Sequence, residues 1–178
     1  MPKRIRLQPA TLRDIPTLQM LANRIWWAHY PPIIGEAQTA YMLERMYSAE
    51  ALRRQMTEEN AHFWLINTLS DVSIGFLSIS EQCASEYFIH KFYLDVAYQG
   101  KGLGTEAFEQ LLEQYPAAKR IRLTVNRQNY KSINFYFKLG FRIERCADFD
   151  IGEGFFMNDF IMCWESKPKE KVNDLSED

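Results

Sequence analysis

A strand-like run that ends in a glycine-rich turn and leads straight into a helical pattern is the strongest constraint on this chain. The run Tyr93-Leu-Asp-Val-Ala-Tyr-Gln99 precedes Gly100, Gly102 and Gly104, and an amphipathic pattern follows at once. Glycines let the backbone approach a ligand closely and turn its N–H groups toward it. The first turn of the helix adds unpaired N–H groups and the positive end of the helix dipole. The segment therefore predicts an anion site, most naturally for a phosphate or pyrophosphate.

Other ligand classes also use glycine-rich turns. A P-loop requires G-x-x-x-x-G-K-[ST], and no Lys-Ser or Lys-Thr follows a glycine here at that spacing, which argues against nucleotide hydrolysis. A dinucleotide fold requires G-x-G-x-x-G/A, a pattern that residues 102–107 do satisfy. However, the pattern comes after half of the chain, and the next strand ends in Val125-Asn126-Arg127 without an acidic residue for a ribose. The dinucleotide interpretation is a minor alternative.

Composition predicts one globular domain. The 178 residues are 47% apolar and 25% charged, which is enough apolar material for a real core. We expect the domain to cover residues 4–165 and the polar residues 166–178 to form a disordered tail. A net charge of −2 and the absence of an apolar run of ~20 residues predict neither a nucleic-acid nor a membrane partner.

The cysteines and histidines are scattered. Cys83, Cys146 and Cys163 form no C-x-x-C pair and each lies in or near an apolar stretch, so we expect buried, reduced thiols. The histidines lack metal-ligand spacing, and no metal site is predicted. The first residues include no apolar segment of the signal-peptide type. Together these features favour a cytoplasmic protein.

Hydrophobic periodicity predicts a mixed α/β sheet of about seven strands with four or so helices. In the third central strand, the alternation places His90 on the same face as Phe88, Phe92 and Leu94. The helical regions are one that starts at the capping box Thr11-Leu-Arg-Asp14 and ends at Pro31-Pro32, one over residues 36–60 broken near Ser48, one after the glycines, and one over residues 130–139. The strands cover residues 4–8, 61–67, 73–79, 87–94, 121–125, 141–149 and 155–164.

Two sequence blocks resemble the GNAT family of N-acetyltransferases. Gln99-Gly-Lys-Gly-Leu-Gly104 matches the family signature Q/R-x-x-G-x-G/A, and the preceding Leu94-Asp-Val-Ala-Tyr98 is similar to V-x-P-x-Y, with Val96 in place of proline. Asn129-Tyr-Lys-Ser-Ile-Asn-Phe-Tyr136-Phe-Lys-Leu-Gly140-Phe141 resembles N-x-x-A-x-x-F-Y-x-x-x-G-F, with Ser132 in place of alanine. The blocks have the family's order and separation, and the likeness extends from about residue 4 to residue 164. It implies the acyl-CoA N-acyltransferase architecture and acetyl-CoA as co-substrate.

The resemblance also implies roles for the donor-binding residues. Backbone N–H groups of Gln99, Gly100, Lys101, Gly102, Leu103, Gly104 and Thr105 would hold the coenzyme A pyrophosphate. A bulge around residues 94–96 would separate that strand from the strand of residues 123–125, so that pantetheine lies between them. A backbone N–H near Leu94 would face the thioester oxygen. Val96 would also belong to the coenzyme-binding residues. Asn129 and Ser132 would contact the coenzyme arm, although Asn129 also suits the N-cap of its helix.

The reaction needs an acid and a base. Tyr136 is the candidate acid, because a phenol can protonate or stabilise the departing thiolate, and it is also expected to contact coenzyme A. His90 is the candidate base on the strand before the glycine turn, since its intrinsic pKa suits the task. Glu86, or a chain of waters without a single base, are the alternatives.

The acceptor region is implied to lie between the first helices and the last hairpin. Its aromatic residues predict a pocket for an amine cation. The aromatic candidates are Trp26, Trp27, His29, Tyr30, Tyr41, Tyr47, Phe155 and Phe156, and the counter-charges are Glu36, Glu44, Glu153 and Asp159. The helical region also resembles, weakly, the bacterial polyamine acetyltransferases.

The sequence thus predicts an N-acetyltransferase that moves an acetyl group from acetyl-CoA to a primary amine by direct attack in a ternary complex. The acceptor is a small molecule, such as a polyamine, or a peptide amine. Family members often form homodimers, so a homodimer is a further expectation. A non-catalytic acyl-CoA-binding sensor or partner module is the alternative function. The identity of the amine and the length of the acyl chain stay open.

Overall fold

The computed structural model describes residues 2–166 and contains one seven-stranded sheet with helices on both faces. The strands are β1 (Ile5–Pro9), β2 (His62–Thr68), β3 (Ser73–Cys83), β4 (Glu86–Leu94), β5 (Arg120–Asn126), β6 (Arg142–Gly152) and β7 (Phe155–Glu165). The helices are α1 (Ile15–His29), α2 (Pro31–Ile34), α3 (Glu36–Tyr47), α4 (Ala49–Thr57), α5 (Leu103–Gln114) and α6 (Tyr130–Lys138).

The sheet has the order β1-β2-β3-β4-β5-β7-β6, and its neighbours are antiparallel except for the parallel pair β4 and β5. The parallel pair needs a crossover, which α5 supplies. The predicted mixed α/β sheet of seven strands is confirmed. The predicted tail, residues 166–178, lies outside the described residues apart from Ser166.

Six helices are present within residues 2–166, and local chemistry explains the two extra breaks. Ser48 has extended backbone angles, and its hydroxyl accepts a hydrogen bond from the Ala51 N–H at 3.3 Å, which caps α4. Pro31 and Pro32 follow the end of α1, as expected. They also begin α2, because proline fits the first turn of a helix.

The helices divide between the two faces of the sheet. The first face is covered by α1, α3 and α4, and its cluster includes Trp26, Tyr47, Phe63 and Phe76. The second face is covered by α5 and α6, whose Phe108, Leu111, Ile133 and Tyr136 pack on β3, β4, β5 and β7. One apolar layer therefore covers each face of the sheet, and a gap between two strands would border both layers.

Strands β4 and β5 separate halfway along their length. Glu86 to Ile89 pair with Arg120 to Leu123, and no later residue of β4 pairs with β5 within the described structure. The β-bulge that was expected around residues 94–96 lies instead at His90, because Ser78 pairs with Lys91 whereas the next residue, Ile79, pairs with Ile89. The extra residue bends β4 away from β5 and opens a gap in the sheet.

The bulge also reverses the alternation of side chains along β4. Phe92 and Leu94 pack on the second face with α5, while Lys91 and Tyr93 lie on the first face. The expectation that His90 shares a face with Phe92 and Leu94 is therefore wrong. One inserted residue moves every later side chain to the opposite face.

The three cysteines are free, and their burial differs from the expectation. Cys83 and Cys146 are exposed and Cys163 is half-buried. Among residues 2–166, none of the helices combines the length and the apolar character that a membrane span requires.

Candidate active site

A cleft of about 500 Å³ opens where β4 and β5 separate. Its floor is formed by residues 89–94 of β4 and 123–126 of β5. The glycine turn and α6 form one side, and α1 with α3 form the other. Because the cleft passes through the sheet, a ligand on the α5 and α6 side can meet another ligand on the α1 and α3 side.

The glycine turn is shaped by two left-handed residues. Gly100 and Gly102 have φ values of +75° and +78°, which a side chain would strain. Gly102 is the N-cap of α5 without a side-chain cap, so the first-turn N–H groups of α5 are left to face the cleft. Gly104 allows α6 to approach, because a Cβ there would meet the Phe135 ring at 3.0 Å.

The turn is anchored from outside the cleft by Glu106 and Arg4. The Glu106 carboxylate accepts hydrogen bonds from the backbone N–H groups of Arg4 and Ile5, at 2.7 and 3.1 Å. Burial acts to raise the pKa of Glu106, but these bonds and the Arg4 guanidinium outweigh it and hold the pKa below its usual value. The Arg4 guanidinium also donates to the Lys101 carbonyl at 2.8 Å. The turn is thus held in place before any ligand binds.

Most of the predicted donor-binding residues line the cleft. The exceptions are Val96, which is exposed in a short 3₁₀ turn, Leu103, which is buried in the core, and Lys101. The Lys101 ammonium turns back to donate to the Ala97 carbonyl at 2.9 Å. The predicted residues that the structure brings together at the cleft are Leu94, Gln99, Gly100, Gly102, Gly104, Thr105, Asn129, Ser132, Tyr136 and His90.

Helix α6 supplies the opposite wall. Asn129 is 2% exposed and is the N-cap of α6, accepting from the Ser132 N–H at 3.2 Å. The sequence reasoning missed Lys131, Asn134 and Lys138, which also line the cleft. Their i, i+3, i+7 spacing places them on one stripe of the helix, a signal that was available in the sequence. Lys131 and Lys138 give the α6 wall of the cleft a positive charge.

Tyr136 points into the cleft from α6 and is 8% exposed. Burial raises its pKa above the usual value for tyrosine, so the phenol is protonated at neutral pH. The buried phenols of Tyr30 and Tyr93 lie near it and also have raised pKa values because of burial. A neutral phenol next to the gap between β4 and β5 can donate a proton to a leaving group.

The two residues considered for the base are differently placed. Glu86 lies at the paired end of β4, away from the cleft, and its carboxylate binds Arg120 and Arg122 at 3.0 and 2.9 Å. His90 does line the cleft, where its Nε2 shares a hydrogen bond of 2.7 Å with the Ser80 hydroxyl. Partial loss of hydration and the adjacent Lys91 charge lower the His90 pKa to about 4. The imidazole is therefore neutral at pH 7, and its Nε2 is engaged by Ser80.

The acceptor side contains fewer of the expected aromatic residues than predicted. Trp26, His29 and Tyr30 line the cleft, together with Tyr93. The others serve elsewhere: Tyr47 is in the core, Trp27 and Phe156 are largely exposed, and Tyr41 packs on Phe155 and donates to the Ile151 carbonyl. The walls near Trp26 are completed by Ile25, Ile34, Met42, Met46 and Met157. Apart from Lys91 and Asp159, the pocket is mainly apolar and only partly aromatic.

Two charged groups on the acceptor side are buried. Lys91 donates to the Gln55 side chain and lies 5.4 Å from the ring centres of both Tyr47 and Phe63. Burial lowers its pKa to about 8. Asp159 of β7 is 3% exposed, and burial raises its pKa to about 6 against the opposing effects of Thr124 and Arg127. Of the predicted counter-charges, Asp159 lines the cleft, whereas Glu36, Glu44 and Glu153 do not.

The family comparison agrees with this geometry. The model of the acetyltransferase (GNAT) family matches residues 21–141, which include β4, the glycine turn, α5 and α6. The chain belongs to the GNAT family. It is therefore an acetyltransferase, as the two sequence blocks indicated.

Similar GNAT proteins include polyamine acetyltransferases. A spermidine N(1)-acetyltransferase of Thermoplasma acidophilum is 27% identical over 148 residues, 79% of this chain and 89% of that protein. A spermine/spermidine N(1)-acetyltransferase of Bacillus subtilis is 32% identical over 66 residues, 35% of this chain and 43% of that protein.

Solved GNAT structures share the fold. The PaiA N-acetyltransferase of Thermoplasma acidophilum, solved with coenzyme A, superimposes with a TM-score of 0.71 at 25% identity over 92% of this chain and 100% of that one. A GNAT protein of Rhodopseudomonas palustris gives a TM-score of 0.74 at 16% identity over 93% of this chain and 98% of that one.

Proposed function

We propose that this acetyltransferase moves an acetyl group from acetyl-CoA to a primary amine across the gap between β4 and β5. The observation that carries the proposal is the cleft itself. One end is a glycine turn at a helix N-terminus, and two lysines of α6 line the wall of the cleft. The other end is a mainly apolar pocket that contains the buried Asp159 carboxylate and the buried Lys91 ammonium. A phosphate-bearing donor and a cationic acceptor fit these two ends.

On the donor side, the pyrophosphate of acetyl-CoA binds the N–H groups of residues 99–105, where the turn and the helix dipole favour an anion. Lys131 and Lys138 add positive charge from α6. Pantetheine lies along the unpaired edges of β4 and β5, with Asn129 and Ser132 at its side. The thioester then lies near Leu94 and within reach of Tyr136.

On the acceptor side, the amine enters between α1, α3 and β7. Trp26 and Tyr30 provide apolar and aromatic surface, and Asp159 provides the negative charge. The names of the two curated relatives point to spermidine or spermine as acceptors, and we propose a polyamine-like amine for this chain. With its apolar walls and a single lining carboxylate among residues 2–166, the cleft is suited to one ammonium at a time.

Transfer is direct, from thioester to amine. None of the described cleft residues is a cysteine, so the nucleophile is the amine rather than a thiol of the enzyme. Tyr136 donates its phenolic proton to the departing thiolate, a role that its neutral state and position support. General acid assistance of this kind is worth roughly 10²–10⁴ in rate.

A cytoplasmic location is part of the proposal. Its support is the presence of three free cysteines, two of them exposed, which persist as thiols in a reducing compartment.

The donor is tested by thermal unfolding with acetyl-CoA, NAD(H) and ATP. At about one hundred times the dissociation constant, a ligand that binds only the folded state stabilises it by about 2.7 kcal/mol, which is several degrees for a domain of this size. We expect a shift with acetyl-CoA alone. A shift with NAD(H) instead would show that residues 102–107 are a dinucleotide fingerprint and would overturn the proposal.

The acceptor is tested by release of free thiol from acetyl-CoA in the presence of amines. The panel contains spermidine, spermine, simple monoamines, amino acids and a peptide with a free N-terminus. We expect release with spermidine or spermine. Activity confined to the peptide would overturn the polyamine assignment, and no release with any amine would overturn amine acetylation itself.

A further inference from the structure

The acceptor amine must lose a proton before it can attack the thioester. The cleft must therefore provide a base within hydrogen-bonding distance of the amine. An aliphatic amine is an ammonium at pH 7 and has no lone pair for attack until a proton leaves. Glu86 lies outside the cleft and is engaged by two arginines. His90 lies at the rim, bound to Ser80. Neither residue offers a free basic group to the interior of the cleft.

Asp159, unlike Glu86, lines the cleft, and unlike His90 it is buried there. It lies on β7 opposite Asn126 of β5, at the end of β5 where the gap has opened. Met157 lies two residues before Asp159 on β7, so the two side chains share one face of the sheet. Met157 packs against the cluster formed with α1 and α3 on the first face. The carboxylate therefore borders the acceptor side of the cleft rather than the donor side.

The groups around Asp159 leave its carboxylate available. Thr124 on β5 contributes a hydrogen bond, Arg127 and Asp148 act from the rim with opposite signs, and Tyr30 faces it from the end of α1. The Arg127 guanidinium pairs with the exposed Asp148, not with Asp159. A carboxylate that is 3% exposed and has no cation paired with it destabilises the folded protein. A cation that enters the cleft would offset this penalty.

We propose that Asp159 binds the ammonium of the acceptor amine and accepts its proton before attack on the thioester. This inference rests on the proposed function and extends it by naming the proton acceptor. It places acid and base on different elements, with Tyr136 on α6 and Asp159 on β7, on the two sides of the gap between β4 and β5.

The proton balance is complete with these two groups. The ammonium gives one proton to Asp159, and the free amine forms a bond to the thioester carbon. The carbon–sulfur bond then breaks, and the thiolate takes the phenolic proton of Tyr136. The second proton on the new amide nitrogen restores Tyr136, and Asp159 releases its proton to solvent. The products are the N-acetyl amine, free coenzyme A thiol and one proton.

The test is the pH profile of kcat/KM with spermidine for the wild type, Asp159→Asn and Asp159→Glu. We expect the wild-type rate to fall as the pH drops below about 6, because the protonated carboxyl no longer accepts a proton. Asp159→Asn should lose roughly 10²–10⁴ in kcat/KM at pH 7 and lack that acidic limb. Asp159→Glu should recover part of the rate. An Asp159→Asn variant with the wild-type rate or the wild-type acidic limb would overturn the inference.

Asp148→Asn is the matched control, since Asp148 is an exposed carboxylate outside the cleft. It should keep the rate and move the acidic limb slightly to lower pH, because one nearby negative charge is removed. Acetyl-CoA stabilisation should be equal in all variants, which separates loss of proton transfer from loss of the fold. If the wild type itself releases no thiol, the proposed function fails together with this inference; if only Asp159→Asn behaves like wild type, this inference alone fails.

A second readout needs no turnover. In wild-type protein carrying ¹³C-labelled aspartate, addition of spermidine should shift the Asp159 carboxyl resonance and lower the pH at which it titrates, because a bound cation favours the carboxylate. An Asp159 resonance that does not respond to saturating spermidine would also overturn the inference.

Discussion

The two halves of the cleft are built in different ways. The donor half, around the glycine turn and α6, relies on backbone conformation: left-handed glycines, uncapped N–H groups at α5 and an asparagine N-cap at α6. The acceptor half relies on side chains that come from α1, α3, β4 and β7 and meet only in the folded protein.

The largest effect is expected at Tyr136, where the two halves meet. Replacing Tyr136 by Phe removes the phenolic proton and leaves the ring, so kcat should fall roughly 10²–10⁴-fold with little change in acetyl-CoA affinity. Steady-state kinetics and calorimetric titration measure the two quantities. Tyr130→Phe is the control on the same helix, because Tyr130 is 70% exposed. An unchanged kcat for Tyr136→Phe would remove the phenol from the mechanism.

The acceptor half should show a conflict between stability and function at Asp159. Its folded pKa of about 6 exceeds the ordinary 3.8, so folding favours the protonated form. Below pH 3.8 the carboxyl is protonated in both states and does not change the free energy of unfolding. As the pH rises from there to above about 6, the carboxylate lowers the free energy of unfolding by up to about 3 kcal/mol. Urea unfolding should show Asp159→Asn more stable than wild type at pH 8, with the difference vanishing near pH 4. Equal stabilities at pH 8 would contradict the burial of an unpaired charge.

The donor half is tested by two glycines with the same backbone strain. Gly100 and Gly154 have φ values of +75° and +77°, and an added Cβ would meet nothing within 4 Å at either. Alanine should therefore cost roughly 1–2 kcal/mol of stability at both positions. Only Gly100→Ala should also weaken acetyl-CoA binding, by about tenfold, because its backbone lies in the cleft. Equal acetyl-CoA affinities for the two variants would contradict a backbone-built donor site.

The smallest effect is expected at the lysines of α6. Lys131 and Lys138 are exposed, so replacing either by Gln should weaken acetyl-CoA binding only by a factor of about two to five. The loss should shrink at high salt, since solvent screens exposed charges. Lys119→Gln, at an exposed site outside the cleft, should leave the affinity unchanged. A loss that is independent of salt would indicate a packing role instead.

The difference between the halves also explains what the sequence could predict. The left-handed glycines and the N-cap Asn129 could be predicted from the sequence, because each backbone conformation there favours that residue type. The sheet and its strand count followed from periodicity for the same reason. The stripe of Lys131, Asn134 and Lys138 is equally local, because their i, i+3, i+7 spacing alone places them on one side of α6.

The acceptor half could not be predicted in this way. The bulge at His90 depends on pairing with β3, and no residue type in β4 specifies it. Because of the bulge, Lys91 and Tyr93 lie on the first face of the sheet and line the cleft, whereas the predicted alternation placed them on the other face. The sequence predicted Asp159 only as a counter-charge, because its neighbours Thr124 and Tyr30 come from β5 and from the end of α1 and meet it only in the folded protein. A carboxylate beside the apolar run Phe160-Ile161-Met162 was the available signal.

The most direct test of the central claim is a crystal structure with a bisubstrate conjugate, in which coenzyme A is joined through its sulfur to spermidine. We expect the pyrophosphate on the N–H groups of residues 99–105, the sulfur between β4 and β5 near Tyr136, and the polyamine nitrogen at Asp159. A conjugate whose coenzyme arm lies outside the gap, or whose amine points away from Asp159, would contradict this claim.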